Sequence, residues 1–151
     1  GEVGLRDVAR GVPVDRAMVR AFESLGTQAT VDEATEALIR TTQREFPVVD
    51  GGGRLRGFLT RDAMIRALKA TGPGTSVLDV MNRDVPTVRA GQSLELALRL
   101  MQERSASEVG VVGEGERLVG YVSRENLAEF MMIEGADEAR TGSPAGRRAA
   151  L

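Results

Sequence analysis

The sequence contains one pattern twice, with a constant offset between the copies. Residues 43–64 read QREFPVVDGGGRLRGFLTRDAM, and residues 106–127 read ASEVGVVGEGERLVGYVSRENL. Gly57 and Gly120 lie 63 positions apart, and the same offset aligns residues 14–68 with the second copy without a gap. We interpret this match as a tandem duplication. The chain is therefore expected to fold as two similar units.

Each copy predicts the same order of secondary structure. Thr30 and Glu33 have the spacing of a capping box, and apolar residues then recur at helical period. Two β-branched and aromatic runs flank the glycines at 51–53, which is typical of a hairpin. The expected strands are 23–27, 46–50, 55–60, 85–89, 109–112 and 118–123, and the expected helices are 31–41, 61–70, 94–101 and 124–133. The fold class is thus α+β, with a β-α-β-β-α unit in each repeat.

The duplication also predicts the domain organisation. A unit of about 60 residues buries too little surface to be stable alone, so the two repeats should pack together. The expected divisions are a lead-in (1–11), repeat 1 (12–70), a linker (71–76), repeat 2 (77–134) and a flexible tail (135–151). Because residue 1 is glycine, we expect the chain to be a piece of a longer protein.

Composition removes several classes of function. The chain has no Cys and no His, which excludes thiol nucleophiles, histidine acid–base chemistry and the usual zinc ligands, so no metal requirement is expected. A net charge of −2 disfavours nucleic acid as a partner. No apolar run is long enough to insert into a bilayer, and we expect a cytoplasmic location. The carboxylates are spaced as on solvated helix faces, so no enzyme activity is predicted.

The repeated unit resembles a CBS domain, and the pair resembles a CBS tandem (Bateman module). The resemblance rests on the runs FPVVD and VGVV, the turns RLRG and RLVG, and the hydroxyl residue that opens the last helix of each copy. It implies two repeats packed with pseudo-twofold symmetry. It also implies two clefts between them that take adenosine-containing ligands such as AMP, ADP or ATP.

A second resemblance concerns the protein from which the chain comes. The runs AMVRAFESL, QREFPVVD and SRENLAEFMMI are similar to the cytosolic CBS tail of bacterial site-2-type intramembrane zinc metalloproteases. This resemblance implies a parent protein with a catalytic domain in the inner membrane, to which the present segment would be attached.

The resemblance also implies the ligand-binding residues. The family pattern is Gly, two hydrophobic residues, Thr or Ser, two residues, and then Asp or Asn. The second repeat fits it with Ser123 and Asn126, whereas the first has Thr60 but Ala63 at the ribose-binding position. A hydroxyl at a helix N-terminus suits a phosphate. We therefore expect the second site to bind better. Thr60 and Ser123 could equally serve only as helix N-caps.

The remaining site predictions concern charge and the neighbouring strand. Arg61 and Arg124 directly follow the hydroxyl residues and are expected to contact phosphate. Glu45 and Glu108 precede the central strands and would oppose an anion. A ligand is expected to connect Ser123, Arg124 and Asn126 to the strand that contains Val85, Pro86 and Thr87.

The function predicted from these residues is a non-catalytic regulatory pair that binds an adenine nucleotide and modulates a larger protein. Two alternatives remain. One is a ligand-independent dimerisation module, with homodimer contacts through helix faces. The other is a free-standing stress-response protein of the same fold. The expected dimer face contains Met64, Leu68, Leu127, Phe130 and Met131.

Overall fold

The computed structural model describes the backbone of residues 7–141 and the side chains of residues 7–137. The strands are β1 (Leu25–Gly26), β2 (Glu45–Val49), β3 (Leu55–Thr60), β4 (Thr87–Arg89), β5 (Glu108–Val112) and β6 (Leu118–Ser123). The helices are α1 (Val31–Arg40), α2 (Arg61–Ala70), α3 (Val77–Val80), α4 (Leu94–Arg104) and α5 (Arg124–Thr141). Short 3-10 turns lie at Val14–Arg16 and Glu114–Glu116.

The strands form two sheets of identical topology. In each sheet a short first strand runs parallel to the central strand, which pairs antiparallel with the third strand. The register places Glu45 opposite Thr60 and Glu108 opposite Ser123. Thr30 and Glu33 form the predicted capping box at the start of α1. The α+β class and the repeated unit are confirmed.

Contacts between the two repeats obey a twofold relationship. Single β-bridges connect the two halves of the chain. If 63 is added to the residue number of one partner in such a bridge and subtracted from that of the other, the result is again a bridge of this set. One bridge joins Arg54 to Arg117, which are equivalent to each other, and therefore maps onto itself. The paired bridges are Pro13–Ser93 with Thr30–Ser76, and Val19–Tyr121 with Phe58–Asn82. The expected pseudo-twofold packing is thus confirmed in the backbone.

The segment that leads into each repeat, residues 12–21 for the first and 75–84 for the second, packs in the core of the other repeat. We call these two stretches the lead-in segments. Val12, Val14 and Ala17 are buried in one cluster with residues of α4, β5 and β6. Val77 and Met81 are buried in a second cluster with residues of α1, β2 and β3. Each hydrophobic core is therefore built from both halves of the sequence.

Two equivalent glycines allow this exchange. A Cβ at Gly57 would lie 2.5 Å from the carbonyl oxygen of Asn82, and one at Gly120 would lie 2.9 Å from that of Val19. Contacts this short are not tolerated by real side chains. The third strand of each sheet must therefore carry glycine where the exchanged segment crosses it.

The structure corrects two predictions. Met64 is fully buried, so it cannot form part of an exposed dimerisation face, and Leu127 is only 5% exposed. Helix α5 continues to Thr141, so residues 135–141 of the expected flexible tail are helical. The remainder of the predicted tail, 142–151, lies outside the described residues, as do residues 1–6 of the lead-in.

Candidate functional site

A polar pocket lies where the third strands of the two sheets end. We call it the central pocket; its volume is about 340 Å³. It brings together four predicted site residues, one hydroxyl and one arginine from each repeat. The lining residues are Arg44, Glu45, Thr60, Arg61, Asp62, Ser107, Glu108, Ser123, Arg124 and Glu125. The pocket thus contains equivalent segments of both repeats.

The hydroxyl residues of the central pocket cap the helices that begin there. The Thr60 hydroxyl accepts from the amide N–H of Ala63 at 3.2 Å, at the start of α2. The Ser123 hydroxyl accepts from the amide N–H of Asn126 at 3.1 Å, at the start of α5. Two helix N-termini, with their positive dipole ends, therefore open on one pocket. Capping and anion binding would use the same groups.

The Asn126 side chain forms hydrogen bonds within the protein through both its oxygen and its nitrogen. Its Oδ1 accepts from the amide N–H of Ser123, and its Nδ2 donates to the carbonyl oxygen of Ala17 at 2.6 Å. It therefore connects the start of α5 to the lead-in segment of the first repeat. A ribose contact by Asn126, as expected from the sequence, would have to compete with these bonds.

A second pocket adjoins the central pocket on the Asn126 side. We call it the side pocket; its volume is about 280 Å³, and it shares Arg44, Glu45, Ser123 and Glu125 with the central pocket. Its other lining residues are Val19, Ala21, Thr42, Gln43, Tyr121, Asn126 and Glu129. Residues of both repeats therefore surround Asn126.

The strand expected to face Ser123 lies elsewhere. The carbonyl oxygen of Pro86 accepts from the amide N–H of Gly110 at 3.0 Å, and Thr87 pairs with Gly110 in β4 and β5. Val85, Pro86 and Thr87 line neither pocket. Because the lead-in segments are exchanged, Val19 and Ala21 occupy the position that the sequence assigned to this strand.

Two equivalent carboxylates dominate the electrostatics of the central pocket. Burial and the charge of Glu45 raise the pKa of Glu108 to about 7, although Arg124 acts in the opposite direction. Burial also raises the pKa of Glu45, opposed by a hydrogen bond from Ser123. Burial raises the pKa of the Tyr121 phenol as well. The pocket is therefore less favourable to negative charge than its three arginines suggest.

Within residues 7–137, no cluster of three or more acidic side chains is arranged to hold a metal ion. None of the helices in the described part of the chain is both long enough and apolar enough to span a bilayer.

Comparison with protein families decides the classification. The CBS domain model matches residues 6–70 and again 77–133. The chain belongs to the CBS domain family. The two matched segments correspond to the two sheet-and-helix units, so the tandem arrangement inferred from the 63-residue offset is a CBS pair. A CBS pair is a regulatory module.

Individual relatives agree with this assignment. Homoserine O-acetyltransferase of Methanocorpusculum labreanum is 28% identical over 115 residues, which are 76% of this chain but 23% of that enzyme. A Vibrio cholerae protein designated AcuB superposes with a TM-score of 0.74 at 21% identity, covering 88% of this chain and 98% of AcuB. CBSX2 in complex with AMP superposes with a TM-score of 0.68 at 24% identity, covering 83% and 99%. The chain therefore spans about a quarter of the curated relative and nearly all of each CBS structure.

Sequence reasoning missed residues that line the pockets, among them Val19, Ala21 and Arg44. Arg44 could have been found, because it precedes Glu45 and is equivalent to Ser107 beside Glu108. Val19 and Ala21 carry no such signal. Their place in the side pocket depends on which repeat covers them, and no local pattern encodes that choice.

Proposed function

We propose that this CBS pair is a regulatory module that binds one adenosine-type ligand across the side and central pockets. The adenine would lie beside Val19 and Tyr121, and the phosphate would lie in the central pocket. The observation that carries the proposal is the convergence of Thr60, Arg61, Ser123 and Arg124 on one pocket. The AMP complex of CBSX2, a protein of the same fold, supports this choice of ligand.

The size and polarity of the two pockets support this proposal. Small-molecule sites usually enclose about 300–1,000 Å³, and the two adjoining pockets together fall in that range. Three arginines and two helix N-termini supply donors for a phosphate. Val19 and Tyr121 offer a less polar wall for a base.

The exchanged segments suggest how binding would be transmitted. The side pocket contains Val19 and Ala21 from the lead-in segment and Tyr121 and Asn126 from the second repeat. A ligand there would stabilise the arrangement in which this segment is docked. Regulation would follow if the attached protein responds to that arrangement, because a ligand shifts only equilibria between states that it binds unequally.

Isothermal titration calorimetry with adenosine, AMP, ADP and ATP tests the proposal. We expect saturable binding of at least one of them, which the double variant Arg61→Ala/Arg124→Ala weakens about tenfold or more for the phosphorylated ligands. Arg99→Ala is the matched control, since Arg99 lies on α4 and lines neither pocket. Absence of binding by all four ligands would overturn the proposal.

A ligand-independent dimerisation module is the second candidate, and one observation favours it. An apolar groove of about 460 Å³ lies between α4 and α5 and is lined by Leu98, Met101, Gln102, Arg124, Leu127, Ala128 and Met131. Leu68, Met132 and Ile133 are also exposed. Light scattering on ligand-free protein distinguishes the two functions. This candidate requires a dimer whose mass is the same with and without nucleotide.

The parent protein remains a prediction. The homoserine O-acetyltransferase relative indicates that similar pairs occur within much longer chains. None of the relatives described above is a protease, so the site-2 protease parent rests only on the sequence resemblance. The sequence that precedes Gly1 in the gene would test it: a series of apolar spans containing HExxH is expected for the protease.

A further inference from the structure

Glu45 and Glu108 occupy equivalent places on opposite walls of the central pocket. Each begins the central strand of its sheet and pairs with the hydroxyl residue that ends the third strand. Any phosphate held at the start of α2 or α5 would therefore lie beside one of these carboxylates. The proposed site places an anion next to two acidic side chains.

Glu108 is an unusual group for such a position. It is 6% exposed and lines the pocket. Among the described residues, its carboxylate has no hydrogen-bond donor and no cation within ion-pair distance, and Arg124 acts on it only through its charge. A buried acceptor with no donor is costly, so this carboxylate is available to a ligand. A phosphate oxygen can approach it only if the carboxyl group carries a proton and donates it.

The charges around Glu108 limit how much negative charge the pocket can hold. Three arginines face four carboxylates, so the fully ionised pocket has a small excess of negative charge. Protonation of either Glu45 or Glu108 makes the pocket neutral, and protonation of both makes it positive. The charged and titratable groups around Glu108 are Arg44 and Glu45 at the start of β2, Arg61 and Asp62 on α2, Tyr121 on β6, and Arg124 and Glu125 on α5.

We propose that Glu45 and Glu108 are specificity-determining residues that restrict this pocket to adenosine ligands of low charge, adenosine and AMP, and disfavour ADP and ATP. This inference rests on the proposed function and names the ligand class of the same site. One phosphate can accept hydrogen bonds from the arginines and from a protonated glutamate. Each further phosphate adds negative charge in a pocket that has no unmatched cation for it. AMP binding should therefore take up a proton, whereas adenosine binding should not.

Calorimetry on the full chain without divalent cations tests the selectivity. We expect ATP to bind at least about tenfold more weakly than AMP at pH near 8, and the double variant Glu45→Gln/Glu108→Gln to reduce that ratio to about threefold or less. Glu103→Gln is the matched control, because it removes the same charge from α4 outside the pocket. Equal affinity of the unaltered protein for AMP and ATP would overturn the inference.

Proton linkage provides a measurement that needs no variant. Between about pH 7 and pH 8.5 the AMP phosphate is already doubly ionised, since its second pKa is about 6. We expect AMP affinity to fall by up to about tenfold per pH unit in this range, the limit for uptake of one proton, while adenosine affinity stays constant. Titrations in two buffers of different ionisation enthalpy count the protons directly. AMP binding without proton uptake would contradict the inference.

The outcomes separate this inference from the proposed function. If AMP and ATP bind equally and without proton uptake, the pair still senses nucleotides, and only the selectivity fails. If nothing binds the unaltered protein but ATP binds the Gln/Gln variant, the carboxylates exclude every ligand, and both the proposed function and the predicted preference for AMP fail. If nothing binds either protein, both are overturned.

Discussion

The rings of Phe58 and Tyr121, which occupy equivalent positions in the two repeats, meet edge to face with their centroids 5.2 Å apart. The backbone of Phe58 also pairs with Asn82, and the backbone of Tyr121 pairs with Val19. Asn82 and Val19 belong to the two lead-in segments. The contact therefore lies where both sheets and both exchanged segments meet. Aromatic pairs of this geometry contribute roughly 0.5–1.5 kcal/mol beyond the area they bury. This junction holds the walls of the candidate site together.

Gly57 packs closely against the lead-in segment of the second repeat, so a single added methyl group should strongly reduce the stability of the fold. Gly57→Ala places a Cβ against the carbonyl oxygen of Asn82, so the exchanged segment must move. We expect the free energy of unfolding to fall by about 2 kcal/mol or more. Urea denaturation measures this change. Gly74→Ala is the matched control, since a Cβ there meets nothing within 4 Å, and equal effects of the two variants would contradict the role of Gly57.

The hydrogen bonds of Asn126 predict a structural role that is separate from ligand binding. Asn126→Ala removes both a helix cap and the bond to Ala17, so we expect a loss of about 1–2 kcal/mol in ligand-free protein. It should also speed hydrogen exchange at the amides of Val19 and Tyr121, which pair beside Ala17. Thr60→Ala removes a cap without this connection. If it speeds exchange at the same amides, the assignment is wrong.

The raised pKa of Glu108 predicts how stability depends on pH. In the folded protein the pKa is about 7, above the ordinary value of 4.5, so the native state binds more protons than the unfolded state between these values. The contribution of Glu108 is therefore present at low pH and is lost as pH rises through about 7. We expect Glu108→Gln to raise the free energy of unfolding at pH 8 by roughly 2 kcal/mol relative to the unaltered protein, and by much less at pH 5. Urea denaturation at both pH values measures this, and Glu103→Gln should show no such difference.

The missing ribose acceptor in the first repeat predicts a gain of function. Ala63→Asp places a carboxylate at the position equivalent to Asn126, in the first turn of α2. We expect AMP to bind in either of two equivalent orientations that share the central pocket, so its affinity should rise while the calorimetric stoichiometry stays at one. An acidic residue there also favours the helix N-terminus by about 0.5 kcal/mol. Asp62→Ala/Ala63→Asp keeps the local charge constant, and an AMP affinity that rises in neither variant would argue against a first-repeat site.

Much of the candidate site was predictable, because its chemistry is local. Four of its residues lie where a strand ends and a helix begins: Thr60, Arg61, Ser123 and Arg124. The end of a strand and the start of a helix are each recognisable from a few neighbouring residues. Their convergence on one pocket follows from the duplication, since a pseudo-twofold axis brings equivalent ends together. The burial of Glu108 was not predictable. The alternation of apolar and polar residues along β5 does not indicate how deeply the other repeat covers Glu108, the first residue of that strand.

By itself, the sequence determined the two copies, the order of their strands and of helices α1, α2, α4 and α5, and the caps that begin those helices, but it did not predict α3. These features depend on hydrogen bonds and apolar spacing within a few residues. Only the tertiary structure decided that residues 12–17 complete the core of the second repeat and that Val77 and Met81 complete the first. Val14 and Met18 of the first lead-in segment are equivalent to Val77 and Met81 of the second, so these apolar residues do not specify which repeat receives which segment. Which segment packs in which repeat depends on the surfaces that become buried together when both repeats have formed.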